Sequence, residues 1–391
     1  MRPSAAGAVV SNAGARRWSA GHPWIFKSDL RHAPDAGAGP VQVHDQRGKP
    51  LGAALWSPQS EIALRLLDPD PEARIDAGWW RSRIERAADR RKTIGDDANA
   101  YRVVYGESDG CPSLIADRYG EYVVLQLLSA GVEGCRADIV AAIRAALNPS
   151  GILARNDASV RAREGLPRAV ELLWGEVPNE VEVREHGVRY LAAPHDGQKT
   201  GAFLDQRENR VRIGALAHGD ALDCFSYHGS FALHLARKAR RVTALDSSAP
   251  ALERASANAA LNGLTNIQFV EANAFEWLRN AARNREQFDT IVIDPPAFAK
   301  SRASVRGALR GYKEINMRAM RMLRPGGLLF TASCSYHVTK PLFLGMLESA
   351  AADSARRIAL REVRGQPLDH PEILTIPESG YLKGAILEAM D

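Results

Sequence analysis

The stretch Ala221-Leu222-Asp223-Cys224-Phe225-Ser226-Tyr227-His228-Gly229-Ser230-Phe231 decides the fold. A short apolar strand runs into a turn with one glycine, and a helical segment, Ser230 to Lys238, leaves it. Glycine lets a backbone come close to a ligand, and the first N–H groups of a helix have no partner inside the helix and can meet one. A single glycine is not the three-glycine fingerprint of a dinucleotide fold, so a pyrophosphate cradle is disfavoured here.

Outward from this turn the same rhythm continues. Arg241-Val242-Thr243-Ala244-Leu245-Asp246, Ile267-Gln268-Phe269-Val270, Thr290-Ile291-Val292-Ile293-Asp294 and Leu328-Leu329-Phe330-Thr331-Ala332 read as strands, with Pro250 to Asn262 as one of the helices between them. Strands alternating with helices predict an α/β domain with a doubly wound, Rossmann-like parallel sheet over residues 195–391. Residues 74–190 read as an α+β domain. It has a helix from Ala77 to Thr93, a hairpin around Arg118-Tyr119-Gly120-Glu121, a second helix from Gly134 to Leu147, a strand at Gly151 to Arg155 and a hairpin turning at His186-Gly187. The first helix sets Trp80, Ile84 and Ala87 on an apolar stripe. Arg81, Arg83, Arg86, Arg90 and Arg91 form a basic face, either a solvated surface or a phosphate track. Asp68-Pro69-Asp70-Pro71 separates this domain from residues 1–70, where short strands between Gly, Pro and Asp predict a small β-rich, barrel-like module.

Composition narrows the class. At 391 residues and 45% hydrophobic content the chain can bury the cores of two or three domains. No apolar run nears the roughly 20 residues that span a bilayer. Met1 to Gly21 lacks the apolar centre of a signal peptide. A cytoplasmic protein without a membrane partner is therefore expected. The four cysteines, Cys111, Cys135, Cys224 and Cys334, lie far apart with no CxxC pair, so neither a metal site nor a disulfide framework is expected. The net charge of +5 is compatible with a polyanionic partner.

The strand ends carry the chemistry. Asp246 closes the second strand, where a carboxylate can accept from both hydroxyls of a ribose. The third strand leads into Glu271-Ala272-Asn273-Ala274-Phe275, where Asn273 can read an adenine edge. This order on successive strands resembles a class I S-adenosylmethionine-dependent methyltransferase. The resemblance implies S-adenosylmethionine as cofactor, with Asp223, Phe225 and Gly229 around its methionine and sulfonium end, Asp246 on the ribose and Asn273 near the adenine, and Ser247 and Ala274 among the residues that bind it. Many relatives carry aspartate where Asn273 stands; asparagine keeps an oxygen that can accept from the adenine amine. Gln206, at the start of a helix, and Asp294 are expected beside the same cofactor.

Two further strand tips bear reactive groups: Ile291-Val292-Ile293-Asp294-Pro295-Pro296-Ala297-Phe298 and Leu328-Leu329-Phe330-Thr331-Ala332-Ser333-Cys334-Ser335. A carboxyl group followed by two prolines can hold a flat nitrogenous base. A thiolate can add to carbon 6 of cytosine and make carbon 5 nucleophilic, splitting one hard step into easier ones. Asp294 can serve N3 and the exocyclic amine if its site is desolvated. The segment from Arg324 to Ser335 resembles the cysteine motif of RNA cytosine-C5 methyltransferases. Most of these carry a second cysteine directly after the paired prolines. Ala297 stands there, which leaves Cys334 as the candidate nucleophile and Asp294 as its catalytic partner. With Gly197-Gln198-Lys199-Thr200-Gly201-Ala202-Phe203-Leu204-Asp205-Gln206-Arg207 and Gly21-His22-Pro23-Trp24-Ile25-Phe26, the chain resembles the large-subunit ribosomal RNA methyltransferase I family over almost its whole length. That resemblance implies methylation of carbon 5 of a cytidine in 23S ribosomal RNA, an N-terminal PUA domain that binds RNA, no metal, and leaves a homodimer open.

Lys300, Arg302, Arg306 and Arg310 follow the Asp-Pro-Pro loop and are the best candidates for RNA phosphates; Trp24 either stacks on a base or fills the core of its module. Two other functions compete. An exocyclic-amine methyltransferase acting on guanine N2 or adenine N6 also uses Asp-Pro-Pro, usually with an aromatic residue next, and has no use for Cys334. A non-catalytic RNA-binding assembly factor on the same fold has no need of Asp223, Gly229, Asp246, Asp294 and Cys334 together.

Overall fold

The computed structural model describes residues 7–299 and 301–391 and divides into two compact units. One holds the described residues up to Arg184 with Ala192–Leu204 and Leu368–Ser379; the other holds Glu185–Leu191, Asp205–Pro367 and Gly380–Asp391. Among the described residues no helix is long and apolar enough to cross a membrane.

The first unit opens with a six-stranded sheet, in the order Trp24–Phe26, Ile62–Asp68, Pro50–Trp56, Gly39–His44, Ala8–Val10, Leu30–His32. Gly39–His44 alternates buried and more exposed residues, as a strand with one face on a core must. That core includes Val10, Ile25, Val43, Ala54 and Leu64. The turn at Asp45 forms because its Oδ1 accepts the N–H groups of Arg47 and Lys49, at 2.8 and 2.9 Å. A helix at Asn12–Ser19 departs from the strands-and-turns expectation. The Ser11 hydroxyl caps it by accepting the Gly14 N–H at 3.1 Å, and Trp18 anchors it in the core.

A five-stranded sheet follows, with helices Ala77–Asp89 and Arg136–Leu147 packed on it through Trp80, Ile84, Ala87, Ile139 and Ile143. The first helix stops at Asp89 rather than running to Thr93; Lys92–Ile94 is a separate 3-10 turn. Most of the expected basic face turns on carboxylates of its own unit. Arg81 pairs with Glu85 at 2.7 Å, Arg83 with Asp68 at 2.8 Å, and both Arg90 and the buried Arg91 with Asp109, at 2.5 and 2.7 Å. Arginines so engaged are poorly placed to follow a phosphate backbone.

The second unit is built on seven strands: β1 (Asp220–Cys224), β2 (Arg241–Asp246), β3 (Ile267–Glu271), β4 (Phe288–Ile293), β5 (Leu323–Ser333), β6 (Ile358–Arg364) and β7 (Lys383–Ala389). Their order in the sheet is β3-β2-β1-β4-β5-β7-β6. The first five are parallel, while β7 runs antiparallel to both β5 and β6. The helices are α1 (Arg207–Leu216), α2 (Ser230–Ala236), α3 (Ala249–Leu261), α4 (Ala274–Arg283), α5 (Val305–Arg321) and α6 (Lys340–Ser354). One core cluster joins Leu222, Ile291, Ile293 and Leu329 to residues of α4, α5 and α6; a second joins Val242, Ala244, Val292 and Phe330 to α1 and α2. Central strands buried on both faces are near-continuous apolar runs, which is why they were legible as strands. Strand order reverses between β1 and β4, and a crevice at the carboxyl ends of strands at such a switch point is where open α/β sheets bind ligands.

A buried charge network fastens α1 and α2. Glu185 accepts from Nε and Nη2 of Arg210 at 2.7 and 2.6 Å, from Nε2 of His234 at 3.0 Å and from the Tyr190 hydroxyl at 3.3 Å. Burial alone would raise the Glu185 carboxyl. The Arg210 guanidinium and the hydrogen bonds from His234 and Arg210 outweigh it and hold the group well below the usual carboxylate range. This contribution to stability is present above the ordinary glutamate pKa of about 4.3 and is lost as the pH falls below it. Arg210→Met strands the buried Glu185 charge, and a loss of about 3–5 kcal/mol is expected. Urea unfolding followed by fluorescence at pH 7 measures it; a variant as stable as the parent contradicts the assignment.

Candidate active site

The turn after β1 is held in an uncommon shape. Phe225, Tyr227 and Gly229 have φ of +64°, +52° and +85°. Side chains other than glycine rarely adopt such angles, at about 1–3 kcal/mol each, unless their surroundings enforce them. Here they do. Ser226 N–H donates to the Leu245 carbonyl at 3.0 Å, Tyr227 N–H to Oδ2 of Asp246 at 2.9 Å, and the Asn258 amide to the His228 carbonyl at 2.9 Å. Gly229 is needed twice over, since a Cβ there would also come within 3.0 Å of the Ala255 Cβ on α3.

Asp223 lies beneath this turn, buried. Its Oδ2 accepts from the Ser226 hydroxyl at 2.7 Å and from the Ala232 N–H of α2 at 2.9 Å, whereas its Oδ1 is buried without a partner among the described residues. Burial, abetted by the nearby Asp294 and Asp246, pushes its carboxyl up to about 7. A buried carboxylate oxygen that lacks a donor fits a cationic ligand group, and the ammonium and sulfonium of S-adenosylmethionine are cations.

Asp246, at the end of β2, accepts the Tyr227 N–H on Oδ2 and the Ser248 N–H on Oδ1, the latter at 3.0 Å. A carboxylate offers about four acceptor positions, so lone pairs remain for a ribose. Ser247 is exposed in the turn that follows, and Ser248 caps α3. Asn273 is placed differently from expectation. Its Oδ1 caps α4, accepting the N–H groups of Phe275 and Glu276 at 3.0 and 3.3 Å. The oxygen expected to accept from an adenine amine is therefore engaged, and the Asn273 amide nitrogen is the group left to meet a ring. Ala274 is the buried first residue of that helix. Gln206 also departs from expectation. Its Nε2 donates to Oδ1 of Asp294 at 2.8 Å and its Oε1 accepts from Asn209 at 2.7 Å, so its amide orients Asp294 rather than pointing at a cofactor.

Asp294 follows β4 directly and Cys334 follows β5 directly, on adjacent strands. Their two loops are tied together. The Ser335 hydroxyl accepts the Ala299 N–H at 3.1 Å and shares a hydrogen bond of 2.9 Å with the Tyr312 hydroxyl, which in turn accepts the Phe298 N–H at 3.4 Å. Phe298 packs on Tyr312 with ring centroids 4.5 Å apart. Of the four cysteines Cys334 alone is not buried. Burial pushes the thiols of Cys111 and Cys135 up to about 12 and that of Cys224 well above its ordinary value. Sequence reasoning missed Tyr312, on α5, and Lys383, on β7, whose Nζ donates to the Ser335 and Tyr381 carbonyls at 2.7 Å each. The signal for Lys383 was available: one charged residue inside the apolar run Leu382-Lys383-Gly384-Ala385-Ile386-Leu387.

Arg302, in a 3-10 turn before α5, and Arg306 and Arg310 on α5 are exposed, and among the described residues none of them is in an ion pair. Lys300 lies outside the described residues. Trp24 belongs to the other unit, half-buried, its indole N–H donating to Glu107 at 2.9 Å beside the acidic Glu378. Among the described residues no cluster of His, Cys, Asp and Glu could hold a metal ion.

Comparison with known proteins agrees with this fold. Residues 9–69 match the model of a PUA-like domain, and residues 154–382, more than half of the chain, match that of the S-adenosylmethionine-dependent methyltransferases. A solved chain described as a SAM-dependent methyltransferase from Streptococcus mutans superposes with a TM-score of 0.82 at 23% identity, over 97% of this chain and 99% of that one. Another, described as a methyltransferase complexed with SAH, gives 0.84 with the same coverage. At that identity the likeness speaks for the fold. Fold, strand-end carboxylates and family model thus define the class: a Rossmann-like S-adenosylmethionine-dependent methyltransferase with an N-terminal PUA-like domain. A ribosomal RNA large subunit methyltransferase I from Klebsiella pneumoniae is 40% identical over 378 residues, covering 94% of each chain, and one from Tolumonas auensis is 39% identical over 380 residues. The chain belongs to the ribosomal RNA large subunit methyltransferase I family.

Two outcomes follow for the cofactor. Because Asp223 loses its charge below about pH 7, affinity for S-adenosylhomocysteine, whose amine is cationic, should rise from pH 5.5 to 7, by up to about tenfold per pH unit. Asp223→Asn should flatten that rise, and calorimetry across the range decides it; equal slopes in both proteins remove Asp223 from the cationic end. Asp246→Ala should cost about 1.5–3 kcal/mol of cofactor affinity with RNA affinity near the parent value. Unchanged cofactor affinity in the same calorimeter rules that placement out.

Proposed function

We propose that the protein methylates carbon 5 of a cytidine in large-subunit ribosomal RNA, in the cytoplasm, through a covalent adduct between Cys334 and carbon 6. The observation that carries this reading is the pairing of strand tips: the only cysteine that is not buried follows β5, Asp294 follows the adjacent strand β4, and one hydroxyl, that of Ser335, ties their loops. The printed names of the relatives, ribosomal RNA large subunit methyltransferase I, supply the class of RNA. The base is the substrate's cytosine; S-adenosylmethionine, bound over Asp223 and Asp246, supplies the electrophilic methyl group.

The Cys334 thiolate adds to carbon 6, and the electrons of the 5,6 double bond make carbon 5 nucleophilic. Asp294, its carboxyl turned by Gln206, meets N3 and the exocyclic amine and stabilises the charge that the ring gathers. Once carbon 5 is methylated, loss of its proton restores the double bond and expels the thiolate. Pro295 and Pro296 keep Asp294 at a fixed angle, and the Phe298–Tyr312 packing holds the loop behind it. Arg302, Arg306 and Arg310 meet the RNA backbone, and the PUA-like module adds affinity without chemistry.

RNA carrying 5-fluorocytidine at the target tests the adduct, because fluorine replaces the proton that must leave. The parent protein should become covalently trapped. Cys334→Ala should lose trapping and methylation while binding cofactor as before, and Cys224→Ala should keep both activities. Asp294→Asn should slow the reaction by about 10²–10⁴-fold. Wild-type carbon-5 methylation by Cys334→Ala would falsify the covalent route, and a label recovered as N2-methylguanosine or N6-methyladenosine hands the site to amine chemistry.

A further inference from the structure

Lys383 opens β7, and its Cα lies opposite Ser333 in the antiparallel register with β5. Its buried side chain reaches the strand tip, where Nζ donates to the carbonyls of Ser335 and Tyr381 at 2.7 Å each. The residue before Cys334 is thus its strand partner, and the residue after Cys334 is its hydrogen-bond partner. Among the described residues no carboxylate pairs with it. Burial, the larger influence, draws the amine down to about 8, and the one ionisable group acting against that is Cys334. The other ionisable group that feels Cys334 is Tyr312, whose hydroxyl burial pushes up and thereby keeps neutral. A buried ammonium without a counter-ion is costly, and Cys334, flanked by the strand partner and the hydrogen-bond partner of Lys383, can supply one as a thiolate.

We propose that Lys383 is the group that ionises Cys334, its amine taking the thiol proton and its ammonium then holding the thiolate for attack. The proposal rests on Cys334 being the nucleophile. The S–H bond breaks and an N–H bond forms; the sulfur lone pair then forms the bond to carbon 6. When that bond breaks again, the thiolate returns to the ammonium. Lys383 holds the thiol proton throughout the addition, so it is not the base that takes the carbon-5 proton.

Alkylation of the full-length protein by iodoacetamide between pH 5 and 10, read at Cys334 by peptide mass spectrometry, tests this without RNA. Cys111, Cys135 and Cys224 are buried and serve as slow internal references. The midpoint for Cys334 should lie below the ordinary thiol value of about 8.5. Lys383→Gln should raise it by on the order of 1–2 pH units, and Lys383→Arg, which keeps the charge, should leave it low. Identical midpoints in the parent and Lys383→Gln overturn the proposal. If Lys383→Gln no longer binds S-adenosylhomocysteine and is therefore misfolded, Lys383→Arg decides, and a midpoint a unit or more above the parent's overturns it. Failure of the nucleophile reading looks different: Cys334→Ala would still methylate RNA, whatever the alkylation midpoints.

Discussion

The constraint on which the catalytic unit depends is burial on both faces of its parallel sheet. β1, β4 and the inner part of β5 have helices on either side, and their middles are apolar: Ala221-Leu222, Ile291-Val292-Ile293 and Leu328-Leu329-Phe330. Polar groups are displaced to the strand ends, and parallel strands bring their carboxyl ends to one edge. Asp246, Asp294 and Cys334 stand where their strands leave the core, and Asp223 one residue short of it. The site is a consequence of where the sheet allows charge.

Collecting carboxylates at one edge has an electrostatic cost that the site uses. Asp223 feels burial first and then the charges of Asp294 and Asp246, and all three push it toward its neutral form. A ligand carrying positive charge relieves that repulsion, so the same crowding that disfavours the empty carboxylate favours the cationic cofactor. The left-handed angles at Phe225 and Tyr227 belong to the same arrangement, because Asp246 and Asp223 fasten the turn while each keeps acceptor capacity.

What could be read from sequence divides along this line. The strands β1, β2, β4 and β5 and the residues that close them were legible, because an apolar run ending in a polar residue is a local pattern. The helix at Val305–Arg321 and the strands β6 and β7 were not marked out, and with them went Tyr312 and Lys383. Their importance arises from pairing across more than twenty residues, Tyr312 with Ser335 and Lys383 with Ser333, which no local pattern records. Assignments of single atoms fared least well. Gln206 was expected at the start of a helix and Asn273 after a strand, but whether an amide faces a ligand or the protein depends on which neighbouring groups need partners. In both residues the protein claims the oxygen.

The position of β7 in the sheet bears on how the molecule is made. It is the strand latest in the sequence, yet it lies between β5 and β6 rather than at a margin. A chain emerging from a ribosome can therefore assemble the parallel strands while β5 still presents an open edge, and only the arrival of residues 383–389 closes it. That open edge is a hazard for mispairing during synthesis, which places a premium on chaperone shelter at that stage. It also sets a sequence in time: Lys383 is made after Cys334 and after β5 and β6, so a chain still short of it carries the cysteine without that lysine.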